Sequence, residues 1–123
     1  MAVALLRQGD SLIAAIQSDL TDGQVLALRD ELSELVGRHR LRSIIIDVSA
    51  LDVIDSFVAR SLRAMAVTAR LRGADTLVVG IQPDVAIAMA HFELNLAPLR
   101  TATDLDEALN LIGRRSGEKS DGG

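Results

Sequence analysis

Apolar positions in this chain change period from segment to segment, and the changes mark out its elements. Residues 3–6 are a short apolar run stopped by the turn signal Gly9-Asp10, and residues 11–17 (SLIAAIQ) are a second run. Together they predict two strands joined by a tight connection, as in a hairpin. Thr21 and Gln24 then have capping-box spacing, in which each side chain satisfies an orphan backbone donor of the other. Val25, Leu28, Leu32, Leu35 and Val36 follow at helical spacing. Arg38, His39 and Arg40 put positive charge near the helix end, where the dipole favours it. Residues 43–48 (SIIIDV) are apolar without alternation, the pattern of a strand buried on both faces of a parallel sheet.

A polar-spotted loop at 49–55 leads into an amphipathic helix from Ser56. Val58, Leu62, Met65, Ala66 and Ala69 form its inward stripe; Arg70 and Arg72 lie in its last turn and Gly73 ends it. Residues 76–81 (TLVVGI) predict another buried strand, and Pro83 opens a third helix at a position where its missing N–H costs little. Val85, Met89 and Phe92 make the inner stripe of that helix. Residues 97–101 predict a short edge strand blunted by Pro98. Thr103 caps a last helix with Leu105, Ala108, Leu109 and Ile112 inward. The polar, Gly-rich residues 116–123 are expected to be a disordered tail behind one domain spanning 1–115.

Strands alternating with helices imply right-handed crossovers. The expected fold class is α/β: a mainly parallel sheet with an N-terminal antiparallel strand and about four helices. The 123 residues suffice for one core without disulfides or metals. There is no Cys, so disulfides, thiolate metal sites and a Cys nucleophile are excluded. The net charge of −4, from 17 acidic and 13 basic side chains, makes nucleic acid a poor partner. The only aromatics are Phe57 and Phe92, too few for a base-stacking platform. No basic start precedes a long apolar stretch and no run is long enough to span a bilayer, so a cytoplasmic protein is expected. Mean hydropathy is +0.28, high for a small soluble monomer; the surplus is either a well-filled core or surface kept for self-association or partners.

Chemistry concentrates in residues 44–62, IIIDVSALDVIDSFVARSL. A buried strand ends in Asp47, a loop carries Ser49, Asp52 and Asp55, and Ser56 sits at the first turn of a helix. In open α/β sheets, working sites lie beyond the carboxyl ends of the strands. One reading makes Asp47 a phosphoryl acceptor or Mg²⁺ ligand of the receiver kind. That chemistry needs an acidic pair after the first strand and a Lys after a later one, whereas this chain offers Arg7-Gln8-Gly9-Asp10 and Ile81-Gln82-Pro83. The simpler reading makes the three Asp residues turn and cap residues, with Asp55 or Ser56 as the helix N-cap. No nucleophile elbow and no phosphate-binding glycine loop is present. His39 reads as a solvated residue near a helix end and His91 as structural, without an acidic or Cys partner set. Ser61 and Thr76 sit in mid-helix and strand settings, where a kinase has poor access.

The same segment resembles the region around the phosphorylated Ser of STAS-domain antagonists of sigma-factor regulation. Asp47-Val48-Ser49 matches their strand ending in Asp-x-Ser/Thr, and Asp55-Ser56 matches the pair that opens their next helix. Most of those antagonists continue Ser-Ser-Gly-x-Gly, and this chain departs with Ser56-Phe57-Val58-Ala59-Arg60. Val53-Ile54-Asp55-Ser56-Phe57, Gly80-Ile81-Gln82-Pro83 and Thr101-Ala102-Thr103-Asp104-Leu105 are similar to the stressosome branch, the RsbS type. The likeness runs from about Leu12 to Ile112.

The resemblance implies a non-enzymatic, cofactor-free partner module. Ser56 would be the acceptor for an RsbT-type serine/threonine kinase, which the unphosphorylated protein also binds. Asp47, Ser49, Asp52, Asp55, Phe57 and Arg60 would form the surroundings of the phosphosite and the partner surface. It further implies assembly with RsbR-type STAS co-antagonists, as a dimer or a large stressosome. A constitutive scaffold without modification and the Asp47-based phosphoryl-transfer reading stay open.

Overall fold

The computed structural model describes residues 2–91 and 99–102. Among them lie strands β1 (Val3–Gln8), β2 (Ser11–Ile16), β3 (Ser43–Asp47), β4 (Asp75–Val79) and β5 (Arg100–Ala102). Three helices alternate with them: α1 (Asp22–His39), α2 (Ser56–Leu71) and α3 (Pro83–His91). The strands form one five-stranded sheet in the order β1-β2-β3-β4-β5. β1 and β2 are antiparallel and every other pair is parallel. The predicted α/β class and the antiparallel N-terminal strand therefore hold.

The hairpin turns at Gly9, whose φ of +62° suits glycine. The register then aligns Leu12 with Ile44 and Ala14 with Ile46, and Ile46 with Val78 in the next strand. These side chains share a face and join one core with Val25, Leu28, Leu32 and Val36 of α1 and Leu62, Met65 and Ala69 of α2. The alternate positions Ile13, Ile45 and Leu77 are buried as well, so the central strands are covered on both faces, as their unbroken apolar runs imply.

α1 carries the predicted capping box between Thr21 and Gln24 in both directions. His39 is half-buried rather than solvated: Arg7 Nη1 lies 2.9 Å from its Nδ1, tying the end of α1 to β1. On α2, Ala59 is buried and Val58 only half-buried, so the inward stripe starts one residue later than its spacing suggested. β4 begins at Asp75 and stops at Val79, short of the expected 81, because Gly80 leaves the strand at φ +79°. The edge strand lies at Arg100–Ala102, shifted from the expected 97–101, and pairs parallel to β4. Phe92, Pro98, the helix expected from Thr103 and the tail at 116–123 fall outside the described residues.

Candidate functional site

The site is built where β3 and β4 end side by side. At the end of β3, the Asp47 carboxylate accepts from the backbone N–H of Ser49 at 2.9 Å and from its hydroxyl at 2.7 Å. That is the local turn an Asp two residues before a Ser makes. Val48 N–H donates to the carbonyl of Val79 at 3.0 Å, and Leu51 N–H to the carbonyl of Val48 at 2.9 Å. From the β4 side, the Gln82 amide donates to the carbonyl of Ser49 at 2.8 Å. Gly80 lies flush against the turn: a Cβ there would meet Ser49 Cβ at 2.8 Å and Asp47 Oδ1 at 3.1 Å. Glycine is required at position 80 for this close approach and for its backbone angle together.

The loop beyond is anchored by two buried apolar residues, Leu51 and Ile54, while Val53 between them is 64% exposed. Asp55 is the N-cap of α2, its Oδ1 accepting from Val58 N–H at 2.8 Å. Ser56 is consequently the first helical residue, exposed, and its hydroxyl makes no hydrogen bond among the described residues. Phe57 turns inward and packs half-buried against the core. Arg60 lies one turn on from Ser56, exposed and without an ion pair among the described residues. Between the loop and α3 opens a cleft of about 490 Å³. Ser56, Asp52, Asp55 and Asp84 contribute to its lining, together with the apolar Ile54 and Val85.

The structure thus splits the residues singled out by sequence. Asp52, Asp55 and Ser56 border one cleft. Asp47 and Ser49 are engaged with each other and are not in its lining. The Asp47 carboxylate is committed to this turn, and no group of three or more acidic or His side chains among the described residues is placed to hold a metal. Two contributors escaped sequence reasoning. Asp84 joins the cleft from the start of α3. Gly80 has a steric role that a glycine directly after a buried apolar strand could have signalled.

The STAS domain family matches residues 2–108 of this sequence. The chain belongs to the STAS family. Its fold superposes on a serine-to-glutamate variant of RsbS from Moorella thermoacetica with a TM-score of 0.80. The two are 30% identical, over 94% of this chain and 98% of that one. A solved chain from the molecular architecture of the stressosome gives a TM-score of 0.73 at 28% identity, covering 92% of this chain and 98% of that one. The RsbT co-antagonist protein RsbRA of Bacillus subtilis (strain 168) is 27% identical over 82 residues, 67% of this chain. This STAS domain spans only 30% of the length of RsbRA. None of its described helices is long and apolar enough to cross a membrane.

Proposed function

We propose that this STAS domain is an antagonist of the stressosome type. It holds a serine/threonine kinase of the RsbT class in its unmodified form and releases that kinase when Ser56 is phosphorylated. The observation that carries the reading is the setting of Ser56. Its hydroxyl is exposed and without a hydrogen bond among the described residues, at the first position of a helix whose cap is supplied by the neighbouring Asp55. A kinase can reach this hydroxyl without unfolding anything. The likeness to RsbS along almost the whole of both chains supports the same assignment. The similarity to a stressosome chain and to RsbRA supports assembly with RsbR-type STAS subunits.

Phosphate on Ser56 would add roughly −1.5 to −2 charge at pH 7. At a helix N-terminus the dipole favours that charge by about 0.3–1 kcal/mol, so the modified protein stays folded. No basic residue lies between Ala50 and Val58, and Asp52 and Asp55 already make the loop anionic. Release is therefore steric and electrostatic, not a change of fold. The test is incubation with a purified RsbT-type kinase and ATP, followed by mass spectrometry of the peptide spanning residues 43–60. One phosphate on Ser56, with loss of the kinase complex, supports the switch. A stable complex without modification, or phosphate on another residue, contradicts it.

A further inference from the structure

α2 differs from the rest of the molecule in charge. In a chain of net charge −4, its sequence SFVARSLRAMAVTARL contains three Arg and no Asp or Glu. One side of the helix is the core stripe of Ala59, Leu62, Met65, Ala66 and Ala69. The opposite side follows from helical periodicity. Ser56, Arg60, Arg63, Val67, Arg70 and Leu71 fall on it, and all are exposed. Val67 is 49% exposed and Leu71 84%, the latter the most exposed large apolar side chain among the described residues. Arg60, Arg63 and Arg70 form no ion pair among the described residues. Arg72 does not belong to this face: its guanidinium lies back over α1, in the space a side chain at Gly37 would need.

We infer that this outward face of α2 is the docking track for an acidic partner surface with an apolar centre. The partner is the kinase of the proposed function, and the inference rests on that reading. Continuity of the face with Ser56, the acceptor in that reading, selects this occupant. The stripe begins at the phosphoacceptor itself and runs roughly 22 Å along the helix. Isolated exposed apolar residues need no explanation, but two aligned with three exposed guanidinium groups form a face of defined chemistry. The partner's carboxylates meet the Arg side chains, and its apolar residues cover Val67 and Leu71.

The same geometry explains how one phosphate acts along the track. Ser56 and Arg60 are four residues apart, with the anion on the N-terminal side, the favourable orientation for an intrahelical pair. Phosphoserine at 56 captures the Arg60 guanidinium and withdraws it from the partner. The face falls from three positive charges to about one, and the partner's carboxylates then meet a phosphate.

The experiment uses the full chain and a purified RsbT-type kinase. Calorimetry compares wild type, the double variant Arg63→Glu/Arg70→Glu, Leu71→Ser, and the off-face control Arg42→Glu, each checked for folding by circular dichroism. The double variant is expected to bind roughly tenfold weaker or worse, and with a shallower salt dependence than wild type. Leu71→Ser should also weaken binding, and the control should stay within about twofold. Wild-type affinity in the double variant overturns the inference while leaving the proposed function standing. Loss of self-association in sedimentation, with kinase binding intact, also overturns it and assigns the face to a second copy. Failure of the wild type to bind the kinase overturns the proposed function, and the inference falls with it.

Discussion

Replacing Gly80 with alanine tests whether the ends of β3 and β4 are locked together as the geometry indicates. The new Cβ would lie 2.8 Å from Ser49 Cβ and 3.1 Å from both Asp47 Oδ1 and the Ser49 nitrogen. None of these atoms is free to move. Ser49 is bound to Asp47 through its N–H and hydroxyl, and its carbonyl is held by Gln82. Holding alanine at φ +79° adds a second cost. The left-handed region costs an L-residue about 1–2 kcal/mol, and forcing a methyl into a packed site costs about 1–3 kcal/mol. The loss of unfolded-state entropy offsets roughly 0.4–1 kcal/mol. The net destabilisation is about 1–4.5 kcal/mol, which for a domain of this size lowers Tm by roughly 3–20 °C. Urea unfolding should show a lower midpoint with an unchanged m-value. Hydrogen exchange should quicken at the Val48 and Leu51 amides, whose bonds belong to this turn. The further change Ser49→Gly should recover part of the loss by removing the shortest contact, and the backbone strain should remain. A destabilisation below about 0.5 kcal/mol, well under the strain cost alone, would refute the locked turn.

Three further outcomes follow from particular contacts. Asp55→Ala should cost about 1 kcal/mol by removing the N-cap of α2, and Asp55→Asn clearly less, in the same denaturant assay. Thr76→Val should leave stability unchanged or raise it by up to about 1 kcal/mol, because the buried Thr76 hydroxyl has no hydrogen-bond partner among the described residues and valine keeps the shape. A clear loss of stability would show that the hydroxyl is satisfied. Ser56→Asp should shift Tm by no more than a few degrees, since an anion at this helix start is not destabilising, while removing kinase binding. A large drop in Tm would contradict release without refolding.

Much of this fold was legible because local and long-range signals agree. The capping box at Thr21 and Gln24 is spelled out in the sequence and made in the structure. The unbroken Ile44-Ile45-Ile46 run announced a strand buried on both faces, and all three are buried. Boundaries were less legible where backbone angle decides them. Gly80 reads as one more residue of an apolar strand, and its φ of +79° ends that strand. His39 read as a solvated terminus because its partner, Arg7, is 32 residues distant in sequence, and spacing carries no information about such a pair. The same limit applied to the site. The segment from Asp47 to Ser56 stood out at once, but Asp84 reaches the cleft from another element. Sequence placed Asp47 with Asp52 and Asp55 as possible chemistry. The structure gives Asp47 a turn to hold and gives Asp55 a helix to cap, and it leaves Ser56, next to Asp55, exposed.

The central claim is that one phosphate on Ser56 releases a kinase from an otherwise unchanged fold. Its most direct measurement compares the binding of an RsbT-type kinase to the chain as translated and to the chain carrying phosphoserine incorporated at position 56 during translation. The account predicts tight binding by the first, none by the second, and matching circular dichroism spectra. Equal binding by both chains would contradict it.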